Sequence, residues 1–231
     1  MINKKISIRL VCLYVLPYIV LLMVFFGLMI VYPKPELHLL LNSYHSDILD
    51  VFFKYYTLLA EFPLYLLALL PLLWKKYKIT LFFAMCEVIG GSFLQLLKHT
   101  ICLPRPVKVF EDYPDLVLPL VQGVDMHHSN SFPSGHASTF FMFCTCCVIV
   151  LAYYYSRKDK ANTLRMQILF DIAMVVLLVL AVLGAFSRVY LSQHFLSDVY
   201  VGSIIGFITP FLMLILCWNK ILKLKNEKIK F

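Results

Sequence analysis

The chain has 231 residues, of which 61% are hydrophobic and only 15% are charged. Soluble domains contain about 45–50% apolar and about 25% charged residues, so the composition excludes an ordinary soluble protein. The net charge of +8 could suggest a nucleic-acid partner, but the basic residues cluster beside apolar runs. That placement is typical of residues that orient a membrane protein. We predict an all-α, polytopic membrane bundle with no nucleic-acid partner.

Six apolar runs reach the roughly 20 residues needed to cross a bilayer. The N-terminal run continues too far for a cleaved signal core, so we predict that it forms the first membrane helix. Between the first two runs, residues 36–57 mix apolar and polar side chains, which predicts an amphipathic helix on the membrane surface. We expect one integral-membrane domain over residues 1–231. The six runs are residues 8–32, 56–74, 79–97, 137–155, 168–186 and 195–218.

Six spans place both termini on the same side of the membrane. The loops on that side hold 15 of the 21 Lys and Arg residues, and the opposite side holds six. Cytoplasmic loops carry the excess of basic residues, so both termini are predicted to be cytoplasmic. The long polar segment 104–134 and the short polar segment 187–198 then share the outer face.

The segment 187–198 carries a candidate nucleophile. His194 and Asp198 are four residues apart, so in a helix they share one face. A carboxylate there can fix the tautomer of the imidazole and leave its other nitrogen free as a nucleophile or base. Arg188 adds a planar guanidinium, the usual partner of phosphate or carboxylate oxygens.

Two further segments at the same face carry groups that bind anions. Lys98 and Arg105 lie at the end of the third run, and two flanking prolines favour an extended backbone around Arg105. Pro133-Ser134-Gly135-His136 precedes the fourth run, where the free N–H groups of a helix start can bind an anion. Buried cations without an anion are costly, so a phosphate group is the expected ligand.

In order and in spacing, these segments resemble the three-part signature of the type-2 phosphatidic acid phosphatase superfamily: Lys98-x6-Arg105-Pro106, Pro133-Ser134-Gly135-His136 and Ser187-Arg188-x5-His194-x3-Asp198. The resemblance covers residues 79–215 and implies a six-helix core that hydrolyses lipid phosphates through a phosphohistidine, with no metal or other cofactor. It implies that His194 attacks phosphorus, that Asp198 orients it and that His136 protonates the leaving oxygen. The residues implied to hold the phosphate oxygens are Lys98, Arg105, Ser134, Gly135 and Arg188.

The resemblance also implies a phosphorylated membrane lipid as substrate and partner. We expect a bacterial inner-membrane enzyme with its site on the periplasmic face, acting on lipid A phosphate or, next in order, undecaprenyl diphosphate. Phosphatidylglycerophosphate and phosphatidic acid stay open as substrates. Three other activities stay open: lipid-to-lipid phosphotransfer, non-catalytic binding or transport of an anionic lipid, and oxidation with bound vanadate.

Three other features have alternative interpretations. Cys144-Thr145-Cys146-Cys147 lies inside a predicted span with no histidine nearby, and His127-His128 has no clear third ligand, so we predict that neither binds a metal. Glu87 is costly inside a bilayer and is expected to face the bundle interior, as a hydrogen-bonded structural group or as a proton relay.

Overall fold

The computed structural model describes residues 4–156 and 163–223, and all regular structure in these two ranges is helical. This confirms the all-α prediction. The basic segment 157–162 and the tail beyond residue 223, both used to predict orientation, lie outside the described residues. The helices are α1 (Lys4–Leu10), which a π-helical turn (Val11–Val15) joins to α2 (Leu16–Val31), then α3 (Lys34–Leu41), α4 (Asp47–Tyr56), α5 (Phe62–Ile101), α6 (Pro106–Val109), α7 (Gly135–Ser156), α8 (Leu164–Tyr190) and α9 (Leu196–Lys223).

Five stretches of the described residues are long and apolar enough to cross a membrane, where the sequence predicts six. The difference lies in α5, one continuous helix of 40 residues where we predicted two spans separated by a basic turn at 75–78. Lysine is a good helix former, and neither glycine nor proline stands at that turn, so the local sequence continues the helix. The count of six is therefore not confirmed, and the location of the termini stays a prediction.

The amphipathic segment 36–57 is two helices rather than one. Helix α3 ends at Leu41, and α4 begins after Ser46, whose side chain accepts a hydrogen bond from the N–H of Leu49. This N-cap starts a new helix and separates α4 from α3. Apolar side chains of α4 such as Ile48 and Val51 are exposed, as expected for a helix beside lipid.

Helix α7 is the centre of the bundle and packs against α8 and α9. More than half of its residues are buried, whereas α8 exposes Ile172, Val175 and Val179 on its outer side. Apolar side chains on the outside of long apolar helices are suited to lipid rather than water. The chain is therefore an integral membrane protein.

Glycines of α9 allow its close contact with α7. A Cβ atom at Gly202 would collide with the carbonyl oxygen of Ser134, and one at Gly206 would collide with that of Ser138. These contacts involve backbone atoms, which cannot move aside as the end of a side chain can. The close approach brings the first turn of α9 against the start of α7, where the polar segments meet.

We expect Gly202→Ala to lower the thermal unfolding midpoint of the detergent-solubilised protein. Overpacking costs about 1–3 kcal/mol, and in a chain of this size each kcal/mol lowers Tm by roughly 2–4 °C. The matched control is Gly91→Ala in α5, where a Cβ atom meets nothing within 4 Å. Equal Tm values for the two variants would contradict the proposed close approach of α9 and α7.

Candidate active site

The polar segments meet at one end of the bundle. The C-terminal ends of α5 and α8 and the N-terminal ends of α7 and α9 lie there, and the connection from α8 to α9 is buried throughout residues 187–196. Loops usually run over the surface because their backbone needs water. A buried loop at this place needs internal hydrogen bonds, and the N–H groups of Gln193 and His194 both donate to the carbonyl oxygen of Arg188.

His194 and Asp198 form a buried pair, as the sequence predicts. The two side chains are 1% and 0% exposed, and His194 Nδ1 lies 3.6 Å from Asp198 Oδ2. The same carboxylate oxygen accepts the N–H of Phe195 at 3.0 Å, which fixes it in the first turn of α9. Because Nδ1 faces the carboxylate, Nε2 is the nitrogen left for a reaction.

Ser131 is a third member of this group, and the sequence interpretation missed it. Its hydroxyl donates to Asp198 Oδ2 at 2.5 Å, and its oxygen lies 3.5 Å from His194 Nδ1. It is completely buried, although it belongs to the polar segment 104–134. Nothing in the spacing of that segment distinguishes Ser131 from the neighbouring serines, so no sequence signal could have found it.

The surroundings favour the neutral form of His194. Burial lowers the pKa of its imidazole from 6.5 to about 3, the contact with Asp198 acts in the opposite direction, and the charge of Arg188 adds to the lowering. A neutral imidazole retains a lone pair, which both nucleophilic and basic roles require.

Arg105 is held by the connection from α8 to α9, residues 191–195. Its Nη1 donates to the backbone oxygen and to the side-chain Oε1 of Gln193, both at 3.1 Å, and its Nε donates to the carbonyl of Ser129 at 3.0 Å. These acceptors are neutral, so the positive charge of the guanidinium is not compensated by them. The arginine is 8% exposed.

Arg188 has donor capacity that protein groups do not use. Its Nη1 donates to Thr57 Oγ1 at 2.9 Å, while its buried Nε has no hydrogen-bond partner among the described residues. A buried donor without an acceptor is costly and needs an explanation. An oxygen of a bound anion would supply the missing acceptor.

The predicted cations and histidines lie within electrostatic reach of one another. His136 interacts electrostatically with Arg188, His194, Lys98 and Arg105. Among the described residues, none of the three cations forms an ion pair with a carboxylate. The site therefore concentrates positive charge beside two imidazoles, and an anion would balance that charge.

Ser134 and Gly135 join this group through the start of α7. The N–H of Ser134 donates to the carbonyl oxygen of Asp198 at 2.9 Å, and its hydroxyl accepts the N–H of Ala137 at 3.5 Å. The backbone N–H of Ser134 is therefore engaged with α9. Its hydroxyl proton and the first N–H groups of α7 are the donors that could face an anion.

The remaining candidate groups lie elsewhere. Cys144 and Cys146 are buried in the core, and His127 and His128 are exposed. Across residues 4–156 and 163–223, no three His, Cys, Asp or Glu side chains come together as a metal site would require. Glu87 accepts a hydrogen bond from Thr139 at 3.1 Å through one oxygen, while its other oxygen is buried without a partner in the described part of the chain.

Comparisons with known proteins agree on one family. The sequence model of the PAP2 superfamily matches residues 64–222. Phosphatidylglycerophosphatase B of Bacillus subtilis (strain 168) is 33% identical over 106 residues, which are 46% of this chain and 48% of that protein, so the chain matches about half the length of this relative.

A solved structure has a similar fold. The crystal structure of Aquifex aeolicus LpxE aligns with a TM-score of 0.60 and 24% sequence identity, over 78% of this chain and 93% of that chain. At this identity the likeness concerns the fold alone. The family match covers more than half of the sequence and includes the three segments of the site. The protein therefore belongs to the PAP2 superfamily.

Proposed function

We propose that this protein is a membrane lipid phosphatase that removes phosphate from an envelope lipid through a phosphohistidine at His194, without a metal ion. The observation that carries the proposal is the burial of His194 beside Asp198, with His136 and three cations within electrostatic reach. A phosphate monoester supplies the negative charge that this cluster lacks. The name of the phosphatidylglycerophosphatase relative and the family match support the same reaction class.

The first chemical step is attack of His194 on phosphorus. The Nε2 lone pair forms an N–P bond, the bond between phosphorus and the lipid oxygen breaks, and that oxygen takes a proton from His136. Asp198 holds the opposite side of the imidazole and stabilises the charge that develops on the ring. Because Asp198 is itself fixed by Ser131 and by the N–H of Phe195, the ring is oriented before the substrate arrives.

The second step releases inorganic phosphate. Water attacks phosphorus, its proton passes to the now neutral His136, and the N–P bond breaks to regenerate His194. In both steps, Lys98, Arg105 and Arg188 hold the equatorial oxygens, together with the Ser134 hydroxyl and the Gly135 backbone. Phosphoryl transfer depends mainly on positioning and charge stabilisation, which these groups provide.

We propose lipid A phosphate as the first substrate to test and undecaprenyl diphosphate as the second. The name of the Bacillus relative adds phosphatidylglycerophosphate. A site at the end of a membrane bundle suits a phosphate carried by a lipid at the bilayer surface. We place the enzyme in a bacterial inner membrane, with this end of the bundle on the periplasmic side and both termini in the cytoplasm.

The direct test is phosphate release by the purified protein from these lipids, with EDTA present throughout. We expect release from at least one lipid by the unmodified protein and none above background by His194→Ala. The matched control is His127→Ala, which changes an exposed histidine of the 104–134 segment and should keep the full rate.

Three results would contradict the proposal. The first is equal activity of His194→Ala and the unmodified protein, and the second is loss of activity in EDTA that added Mg²⁺ restores. The third is a phosphoryl group that appears on a second lipid and carries no oxygen from isotopically labelled water, which would indicate transfer instead of hydrolysis.

Ser131→Ala should lower kcat because the Asp198 carboxylate loses a short hydrogen bond. Hydrogen bonds to charged groups contribute about 1.5–3 kcal/mol, which corresponds to a roughly 10- to 100-fold loss. Ser129→Ala is the control, because the contact from Ser129 to Arg105 uses its backbone oxygen and survives the substitution. A normal kcat for Ser131→Ala would exclude a positioning role for this serine.

Activity against pH should be bell-shaped, because His194 must be neutral while His136 carries a proton. Protonation of His194 sets the acid limb, and its lowered pKa moves that limb below the ordinary value of 6.5. Loss of the His136 proton from the substrate complex, where the charge of the bound phosphate favours the imidazolium, sets the alkaline limb, so His136→Asn should lose both that limb and roughly 10²–10⁴-fold in rate. Profiles of kcat for both proteins test this, because kcat reports the substrate complex. A full rate far above neutral pH would contradict the acid role of His136.

A further inference from the structure

A small cavity lies beside the connection from α8 to α9, and the proposed chemistry does not use this cavity. It has a volume of about 190 Å³ and lies between the end of α2, the start of α3 and the first turn of α9. Its walls are apolar at Met29, Leu37 and Leu196 and polar at Lys34, His38 and Ser197. Lys34 and His38 both interact electrostatically with Asp198, so the cavity borders the reaction site.

His38 is the polar group of this cavity whose hydrogen bonding is incomplete. The residue is 1% exposed, its Nε2 lies 3.2 Å from the hydroxyl oxygen of Ser192, and its buried Nδ1 has no partner among the described residues. An unpartnered buried nitrogen is costly. Whether this nitrogen donates or accepts a hydrogen bond depends on which ring nitrogen carries the proton.

The contacts of Ser192 determine which ring nitrogen of His38 carries the proton. A hydroxyl has one proton, and Ser192 donates it to the carbonyl oxygen of Pro119 at 2.6 Å. The Ser192 oxygen must then accept from both of its other neighbours, Asn42 Nδ2 at 2.9 Å and His38 Nε2. His38 is therefore protonated on Nε2, and its Nδ1 carries a lone pair.

The ring of His38 is also neutral at physiological pH. Burial lowers its pKa to about 4, the charge of Asp198 acts in the opposite direction, and the charge of Lys34 adds to the lowering. A neutral ring protonated on Nε2 makes Nδ1 a hydrogen-bond acceptor and not a donor. The group missing beside His38 is thus a donor such as a hydroxyl.

Lys34 gives the cavity a positive end. Its Nζ lies 4.2 Å from the centre of the Phe195 ring, next to His194 in sequence, and it forms no ion pair with a carboxylate in the described ranges. A cation over an aromatic ring keeps its charge available to an anion. The residues that line the cavity therefore include a cation, apolar side chains and a histidine whose acceptor nitrogen has no partner among the described residues.

We propose that this cavity binds the part of the lipid headgroup that does not react, and that Nδ1 of His38 accepts a hydrogen bond from a headgroup hydroxyl of glycerol or sugar type. Lys34 lies beside the anionic oxygens of the same headgroup. This inference rests on the proposed phosphatase function. A volume of about 190 Å³ is below the roughly 300–1,000 Å³ of pockets that enclose whole ligands, which agrees with binding of one headgroup fragment.

The consequence is a preference for hydroxylated headgroups. Lipids whose phosphate sits on a polyol linker offer the donor, whereas phosphatidic acid and prenyl diphosphates have no hydroxyl at this place. One neutral hydrogen bond corresponds to a roughly 3- to 10-fold difference in kcat/KM. A larger difference in kcat/KM follows where the lipid without the hydroxyl leaves a buried polar group of the site unpaired.

The test compares two lipids that differ by one hydroxyl, phosphatidylglycerophosphate and its analogue with a deoxygenated linker, in the same detergent micelles. We expect the full-length protein to favour the hydroxylated lipid by roughly 3- to 10-fold in kcat/KM. His38→Phe, which keeps a ring but has no acceptor, should bring that ratio to one. Its absolute rates should fall on both lipids, because the bond to Ser192 is lost as well.

Asn42→Ala is the matched control. It removes another structural hydrogen bond to Ser192 but keeps the Ser192 oxygen that fixes the His38 tautomer, so both rates should fall while the preference persists. A ratio of one in the unmodified protein would overturn the proposal. A preference retained by His38→Phe would also overturn it.

A binding measurement distinguishes an error in the proposed subsite from an error in the proposed phosphatase function. In His194→Ala protein, competition between the two lipids measures the preference without turnover. Preferential binding that His38→Phe abolishes supports the subsite, even where no phosphate is released and the catalytic proposal fails. Equal binding of the two lipids, together with normal phosphate release, overturns the subsite and leaves the phosphatase function intact.

Discussion

The site depends on the hydrogen bonds of one residue, Asp198. Its carboxylate accepts the hydroxyl of Ser131 and the N–H of Phe195, and its backbone oxygen accepts the N–H of Ser134. The segment 131–134 and the end of the connection from α8 to α9 are thereby fixed to the first turn of α9. Gly202 permits this arrangement, because any side chain there would push Ser134 away. The orientation of His194 and the packing of α9 against α7 thus depend on the same few atoms.

The second constraint is uncompensated charge. Arg105 and Arg188 are buried with neutral partners, and Lys98 lies within electrostatic reach of both. Mutual repulsion of desolvated cations opposes folding, so other interactions must stabilise this end of the bundle. The same charges become favourable when a phosphate binds. A site that is electrostatically strained without an anion and relaxed with one stabilises a transition state that spreads negative charge over oxygens.

The sequence places the signature residues at one end of the predicted bundle, and the structure brings them together there, while their catalytic roles stay predictions. A carboxylate four residues after a histidine shares its helix face, and a helix start offers N–H groups wherever it occurs. Ser131 could not be predicted, since its role depends on how a long loop folds back onto α9. The continuity of α5 was also beyond local rules, because the basic residues at 75–78 mark the edge of an apolar run but do not end a helix.

The region before the family match completes the site. The match begins at residue 64, yet Thr57 accepts a hydrogen bond from Arg188. His38 and Asn42 also contact Ser192, in the connection from α8 to α9. Asn42 in turn contacts His45, which contacts Asp50, so a polar chain follows α3 and α4 along the buried loop. Groups that hold the phosphate must be the same for every phosphate ester, whereas groups that contact the rest of a headgroup must differ with the lipid. We propose that the matched region carries the chemistry and that the earlier region adds Lys34, Leu37 and His38 to the adjoining cavity, in line with that physical difference.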